Sequence, residues 1–407
     1  MNNTIFLSVF DQLLVSGSMF LLNLLLISMS GMESYGHFVL VFSLSLIAFG
    51  AQNAIVLMPL NVLLPGEREN RKPLTIRMLA TLDLAVLSAM CLLVGGLAFA
   101  FGVPRELCLA AVLLVLTNGM RELQRSLFLT RQQPFHLLRL DGAAVIAGTL
   151  ALIIGLQLTE PPLAGLLAIA AGNLVSVILY AQPVYRSPRR LGQMMRLYAP
   201  YWAKSRWALG GAALTEAHLR LYVFIVELAK GSAALGLLQT GRVLVNPVSL
   251  IAFGWARASR PLIAQKIADG DHSGAKKVVY VGTALLLTIG VLYIAALNLG
   301  WPYLAVIMEL DGAGALHELI AAWSLFAIAG VPSICLSVYL QATHRYRALT
   351  IAMAYSVALS SAFLLLLFTD FGLSWAIWAL IAGEAVLFVA ISMSLRPQGR
   401  PLEEKSA

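Results

Sequence analysis

The stretch SAALGLLQTGRVLVNPVSLIAF, residues 232–253, decides how this chain is read. It is apolar over about 20 residues, the length needed to cross a bilayer as a helix. Yet Arg242 stands near its middle, and Gln239, Arg242, Asn246 and Ser249 recur at helical spacing as one polar stripe. Pro247 interrupts the hydrogen-bond ladder beside them and predicts a bend. A charge at the centre of a membrane helix costs about 2.5–3.5 kcal/mol on insertion scales, so such residues face a bundle interior or a wet cavity. The preceding apolar segment, 199–226, repeats the pattern with Glu216, His218 and Arg220. The pair reads as one wall of a cationic, transport-type cavity.

Composition places the whole chain in the same class. Of 407 residues, 59% are hydrophobic and 12% charged, against about 25% charged in soluble domains. Twelve spans are expected, at 5–29, 37–64, 74–101, 106–130, 139–158, 162–183, 199–226, 232–255, 276–300, 317–342, 348–369 and 372–395. The fold class is therefore an all-α polytopic membrane protein. With the N-terminus placed inside, nearly all of the 28 Lys and Arg fall in inside loops and helix ends. Only Arg105 and Lys230 lie outside, and Arg220 and Arg242 lie within spans. This bias predicts cytoplasmic termini. It also explains the net charge of +8 without a nucleic-acid partner. The N-terminus lacks the pattern of a cleaved signal peptide, so the first span is expected to be retained.

A faint internal repeat appears on shifting the chain by 200 residues. Gly31 then falls on Gly231, Gly36 on Gly236, Leu44 on Leu244 and Arg77 on Lys277. Two six-helix lobes of like orientation, 1–195 and 196–407, are the expected domains, with Arg186–Arg196 as their connector. Outside loops are short and mildly acidic, the longest holding Glu309, Asp311 and Glu318, which leaves no room for an external catalytic domain. No P-loop and no HExxH or Cys/His cluster is present, and Cys91, Cys108 and Cys335 are isolated. The chain is expected not to be an enzyme, and to hold neither cofactor nor metal.

Other polar residues inside spans complete the candidate set. The first helix carries Ser8, Gln12, Ser16 and Asn23 on one face, with Asp11 beside them. Arg121 and Arg125 share a side of the fourth span, with Glu122 adjacent. Asp83 lies in the third span and Glu384 in the twelfth. Each has a plainer reading. Arg121 and Arg125 also suit snorkelling from a helix end, Glu216 and Arg220 suit a structural pair, and the Ser/Gln/Asn stripes suit interhelical glue.

The run Asp11-Gln12-Leu13-Leu14-Val15-Ser16-Gly17-Ser18 and the turn Glu33-Ser34-Tyr35-Gly36 resemble bacterial polysaccharide-biosynthesis membrane proteins. So do Arg121-Glu122-x-x-Arg125-x-x-Phe128, Gly236-Leu237-Leu238-Gln239-Thr240 and Arg260-Pro261-Leu262. These proteins belong to the multidrug/oligosaccharidyl-lipid/polysaccharide exporter superfamily, and the resemblance is to its Wzx-type flippases. It implies two six-helix lobes around a central cavity, working by alternating access in the bacterial cytoplasmic (inner) membrane. The implied cargo is a polyprenyl-diphosphate-linked glycan bound for cell-surface polysaccharide. Membrane lipids and other polysaccharide-synthesis membrane proteins are the expected partners. The chain is short for this family and lacks the extra helices of some lipid II flippases. Arginine suits a diphosphate because its planar fork donates paired hydrogen bonds. Arg242, Arg220, Arg121, Arg125, Gln239 and Asn246 are the expected substrate ligands, with the Arg121–Arg125 pair capturing the head group. Asp11, Asp83, Glu216 and Glu384 are the candidates for H+ or Na+ coupling. The alternatives are a multidrug cation antiporter of the same superfamily and a non-transporting scaffold of a polysaccharide-synthesis complex.

Overall fold

The structure, a computed structural model, describes residues 2–180, 184, 191–307, 313–343 and 345–395. Among these the chain is almost entirely helical, and each expected span overlaps a helix over its described residues, 37–64 being divided between two. In order the helices are α1 (Asn2–Met29), α2 (Met32–Gln52), α3 (Met58–Gly66), α4 (Lys72–Ala100), α5 (Arg105–Thr130), α6 (Pro134–Leu158) and α7 (Pro161–Tyr180). They continue as α8 (Leu191–Lys230), α9 (Ser232–Ala268), α10 (His272–Ile307), α11 (Ala313–Ala342), α12 (Tyr346–Leu364) and α13 (Trp375–Ser394). Ten segments among the described residues are long and apolar enough to cross a membrane, and Leu14–Met29 of α1 is a shorter apolar stretch. Large apolar side chains such as Leu92, Leu158 and Leu299 stand three-quarters or more exposed. Such faces are stable only against lipid. The chain is a multi-pass membrane protein. The connector residues Arg186, Arg189 and Arg190, and the acidic Glu309 and Asp311, lie outside the described residues.

The chain divides into two compact units, Met1–Val243 and Leu244–Ala407. In the first, α6 and α7 form the tightest pair because small residues line their contact. A Cβ on Gly172 would come within 2.3 Å of the Ala144 carbonyl oxygen, and one on Gly155 within 3.2 Å of Ala164. Without a hydrophobic drive between helices in lipid, close backbone approach of this kind supplies the packing energy. A second apolar cluster joins Val56, Leu60, Leu79, Leu123 and Tyr198, from the second span and α4, α5 and α8.

Pro59 cannot donate to the Ile55 carbonyl, and there α2 passes into α3 through a π turn, Asn53–Leu57. The freed Ile55 oxygen accepts the Tyr198 hydroxyl of α8 at 2.7 Å, as a buried carbonyl requires. In the second unit Pro247, where a bend is expected, lies inside the continuous helix α9. Just upstream of it, the Leu244 carbonyl accepts the Tyr293 hydroxyl of α10 at 2.7 Å. Within that unit α11 packs against both α10 and α13, and α12 pairs with α13. Asp271 caps α10 by accepting the Gly274 N–H at 2.7 Å. That bond and the Lys266 ammonium hold its carboxyl below the usual carboxylate range.

Candidate functional site

The charged residues of the first unit gather in two places. The first joins α1, α5, α6 and α7. Close packing of α6 on α7 brings Asp141 and Asn173 to face α5, where Arg121 and Arg125 share one side a turn apart. Asp141 is fully buried. Its Oδ1 accepts Arg121 Nη2 at 2.6 Å and Nε at 3.0 Å. Its Oδ2 accepts Arg125 Nε at 2.7 Å. Arg121 Nη1 donates to Asn173 Oδ1 at 3.1 Å, while Arg125 Nη2 donates to Asp11 Oδ2 at 3.1 Å. Glu122 stands 3.5 Å from Arg125 Nη1.

One carboxylate thus bridges two guanidiniums, and a second ties in α1. Arg121 and Arg125, expected to capture the head group, are both ion-paired here. Their forks are engaged by carboxylates from neighbouring helices, which buried charges require. Asp11, expected as a coupling acid, is part of the same cluster. Its Oδ1 and the Asn173 Nδ2 are buried and meet no hydrogen-bond partner among the described residues. The side chains of Ser8 and Gln12 lie outside the described residues.

Asp141 and Asn173 were not singled out in the sequence. The signal for Asp141 is there in retrospect: it is the one acid in the span 139–158, and an ionisable residue within a membrane helix is a site by default. Asn173 gives no comparable signal, since its role depends on which helix face α7 turns to α5. Asp83 lies nearby in sequence order on α4, fully buried, and accepts Gln52 Nε2 at 2.8 Å. The other Gln52 amide hydrogen goes to the Gly119 carbonyl, also at 2.8 Å.

The second place joins α2, α8 and the first turns of α9. Arg242 Nη1 donates to the Tyr222 hydroxyl at 2.5 Å, and that hydroxyl donates to Gln239 Oε1 at 2.7 Å. The guanidinium carbon lies 5.3 Å from the centre of the Tyr222 ring, within cation–π range. Tyr222 itself is almost wholly buried, so Arg242 and Gln239 of the polar stripe rest on a fixed phenol. Tyr222 is a third residue the sequence reading passed over, because its partners are on another helix. Arg220 Nε donates to Glu216 Oε2 at 2.5 Å, an i,i+4 pair on α8, and the Glu216 side chain lies against Gly50 of α2. On α2, the Tyr35 hydroxyl donates to Asn23 Oδ1 of α1 at 3.0 Å.

These helices meet backbone to backbone. A Cβ on Gly36 would lie 1.8 Å from the Ser232 carbonyl oxygen, and one on Gly236 would lie 2.0 Å from that of Met32. Met32 and Ser232, like Gly36 and Gly236, are 200 residues apart. Each helix therefore offers the other the same contact, the signature of a two-fold relation. At Gly231, φ is +83°, a left-handed turn between α8 and α9 that suits glycine. Asn246, farther along α9, is half-buried. Glu384 of α13 is buried in the second unit, 3.9 Å from where a Cβ on Gly330 of α11 would lie.

The MatE family model matches residues 218–370, while a search of curated proteins by sequence finds no match. Among solved structures, the chain resembles an inward-facing multidrug resistance MATE family transporter of the MOP superfamily. The TM-score is 0.63 at 16% identity, over 94% of each chain. It also resembles the lipid II flippase MurJ in an inward closed conformation, with a TM-score of 0.66 at 13% identity over 98% of this chain and 88% of that one. A MOP superfamily transporter from Pyrococcus furiosus, whose reverse polarity of binding pocket suggests a different function, matches with a TM-score of 0.56. Its identity is 12%, over 96% of this chain and 95% of that one. At such identities the likeness is one of fold: this is the all-helical fold of the MATE and MurJ transporters.

Proposed function

We propose that this protein flips a polyprenyl-diphosphate-linked oligosaccharide across the bacterial cytoplasmic membrane by alternating access, serving cell-surface polysaccharide synthesis. The observation that carries the reading is Arg242, in the third turn of α9 within an apolar segment and seated on the buried Tyr222. Tyr222 fixes one edge of the guanidinium and so orients the fork, which lowers the cost of ordering it around a diphosphate. Arg220 is the second ligand, released from Glu216 when the head group arrives, and Gln239 and Asn246 meet the first sugars. Arg121 and Arg125, clasped by Asp141 and Asp11, hold the lobe rather than the cargo. Asp11 retains one buried oxygen without a described partner, the atom at which a coupling proton would sit. Asp83 and Glu384 are the remaining coupling acids. The likeness to a lipid II flippase supports a lipid-linked cargo, and the positive-inside pattern supports cytoplasmic termini.

A second reading, a lipophilic-cation antiporter, draws on the buried carboxylates Asp83 and Glu384 and on the multidrug transporters that share the fold. The test is binding of the purified protein to a polyprenyl-diphosphate oligosaccharide and, in parallel, to a lipophilic drug cation, with Arg242→Gln alongside. The flippase reading expects binding of the diphosphate lipid that falls at least about tenfold in Arg242→Gln, the loss of a charge-assisted bidentate contact. Preference for the cation moves the protein to drug export. Binding of neither points to a scaffold.

A further inference from the structure

The second unit carries a feature that transport through the first site does not use. Between α10, α11 and α13 lies a cavity of about 550 Å³. Its floor is α11, which packs against both flanking helices and presents the buried Leu336 and Tyr339. Its walls are more open: Tyr280 of α10 is 59% exposed and Phe388 of α13 is 39% exposed. The cavity is a groove that opens sideways, along faces that lipid covers.

The lining has a direction. On α10, Lys276, Tyr280 and Thr283 follow at i, i+4 and i+7, and Phe388 and Ser392 of α13 with Leu395 at its C-terminal cap do the same. Seven residues of helix are about 10 Å long. The groove therefore runs about 10 Å from Lys276 and Leu395 at one end to Thr283 and Phe388 at the other. Positive charge marks the first end only. Lys276 lines it, Lys277 follows in sequence, and Arg345 Nη1 donates to the Ser394 carbonyl at 2.6 Å, beside Leu395. Asp271 caps α10 immediately before this turn and fixes where Lys276 stands.

We infer that this groove is a binding site for a resident anionic phospholipid. The phosphate meets Lys276 at the mouth, and the first part of one acyl chain lies over Leu336 between Tyr280 and Phe388. A basic end joined to an apolar trough of half a chain's length matches a phosphate on a hydrocarbon tail. Basic pockets between membrane helices on the cytoplasmic side recognise anionic head groups in this way. The transported glycan lipid is a poorer fit, because the trough offers no wide polar chamber for sugars. The inference requires only that the helices span the membrane, so it stands or falls apart from the flippase reading.

Native mass spectrometry of the full chain in detergent, with phosphatidylglycerol and phosphatidylethanolamine of the same acyl chains in equal amounts, tests it. Wild type is expected to retain phosphatidylglycerol over phosphatidylethanolamine. Lys276→Gln should weaken that retention about fivefold, the effect of one basic residue near an anionic surface, while Lys276→Arg preserves it. Leu336→Trp, which fills the floor, should reduce retention of both lipids. Equal retention of phosphatidylglycerol by wild type and Lys276→Gln would overturn the assignment. Displacement of the phospholipid by a polyprenyl diphosphate would overturn it too, by making the groove a seat for cargo.

Discussion

The two polar regions of the first unit are built on opposite plans. Where α1, α5, α6 and α7 meet, two guanidiniums and their carboxylates bridge three helices, Asn173 adds the fourth, and Asp141 alone serves two arginines. Where α2, α8 and α9 meet, the ion pair Glu216–Arg220 stays on one helix, Arg242 takes a phenol, and the helices touch through glycine. A salt bridge that spans helices resists opening, because removing one partner strands a buried charge. A pair within one helix opens without moving any other helix. The first region is therefore a clasp between helices, whereas the Glu216–Arg220 pair of the second ties no helix to another.

The sharpest way to break this contrast is at Asp141. Among the described residues, Asp141→Ala leaves the buried Arg121 with no carboxylate and Arg125 with Asp11 and Glu122 alone, and a loss of about 3–5 kcal/mol is expected in thermal or denaturant unfolding of the purified protein. If Asp141→Ala were as stable as wild type, the clasp would have to be abandoned. Next in size is Gly236→Ala, whose Cβ would meet the Met32 carbonyl at 2.0 Å. Overpacking of this kind costs about 1–3 kcal/mol. By the reciprocal contact, Gly36→Ala should cost a similar amount, and an unequal pair of values would argue against a two-fold crossing. Tyr222→Phe removes the hydroxyl beneath Arg242 and should cost about 0.5–1.5 kcal/mol of stability, with a larger proportional loss of diphosphate-lipid binding. Glu216→Gln comes last. It should change stability by less than about 1 kcal/mol while altering release or uptake of the head group, measured as flipping rate in liposomes.

Several of these residues differ in how far the sequence announces them. Arg242 is conspicuous in a stretch that lipid would otherwise solvate, and its stripe with Gln239 follows from helical periodicity. Glu216 and Arg220 are legible as a pair because their spacing is local. Asp141 is visible as an isolated acid, but nothing local says that it serves Arg121 and Arg125 across helices. Asn173 and Tyr222 are ordinary residues until the facing helix is known.

By itself, the sequence determined that the chain is a series of membrane helices, roughly where they lie, and several of the polar residues they must hide. Hydrophobic length and period are properties of a single segment, so no partner is needed to read them. Only the tertiary structure decided that Arg121 and Arg125 are clasped, that Arg242 rests on Tyr222, and that Gly36 and Gly236 meet in a reciprocal crossing. Those outcomes depend on which faces of distant helices come together. A buried charge fixes only that a partner must exist, while packing chooses which one.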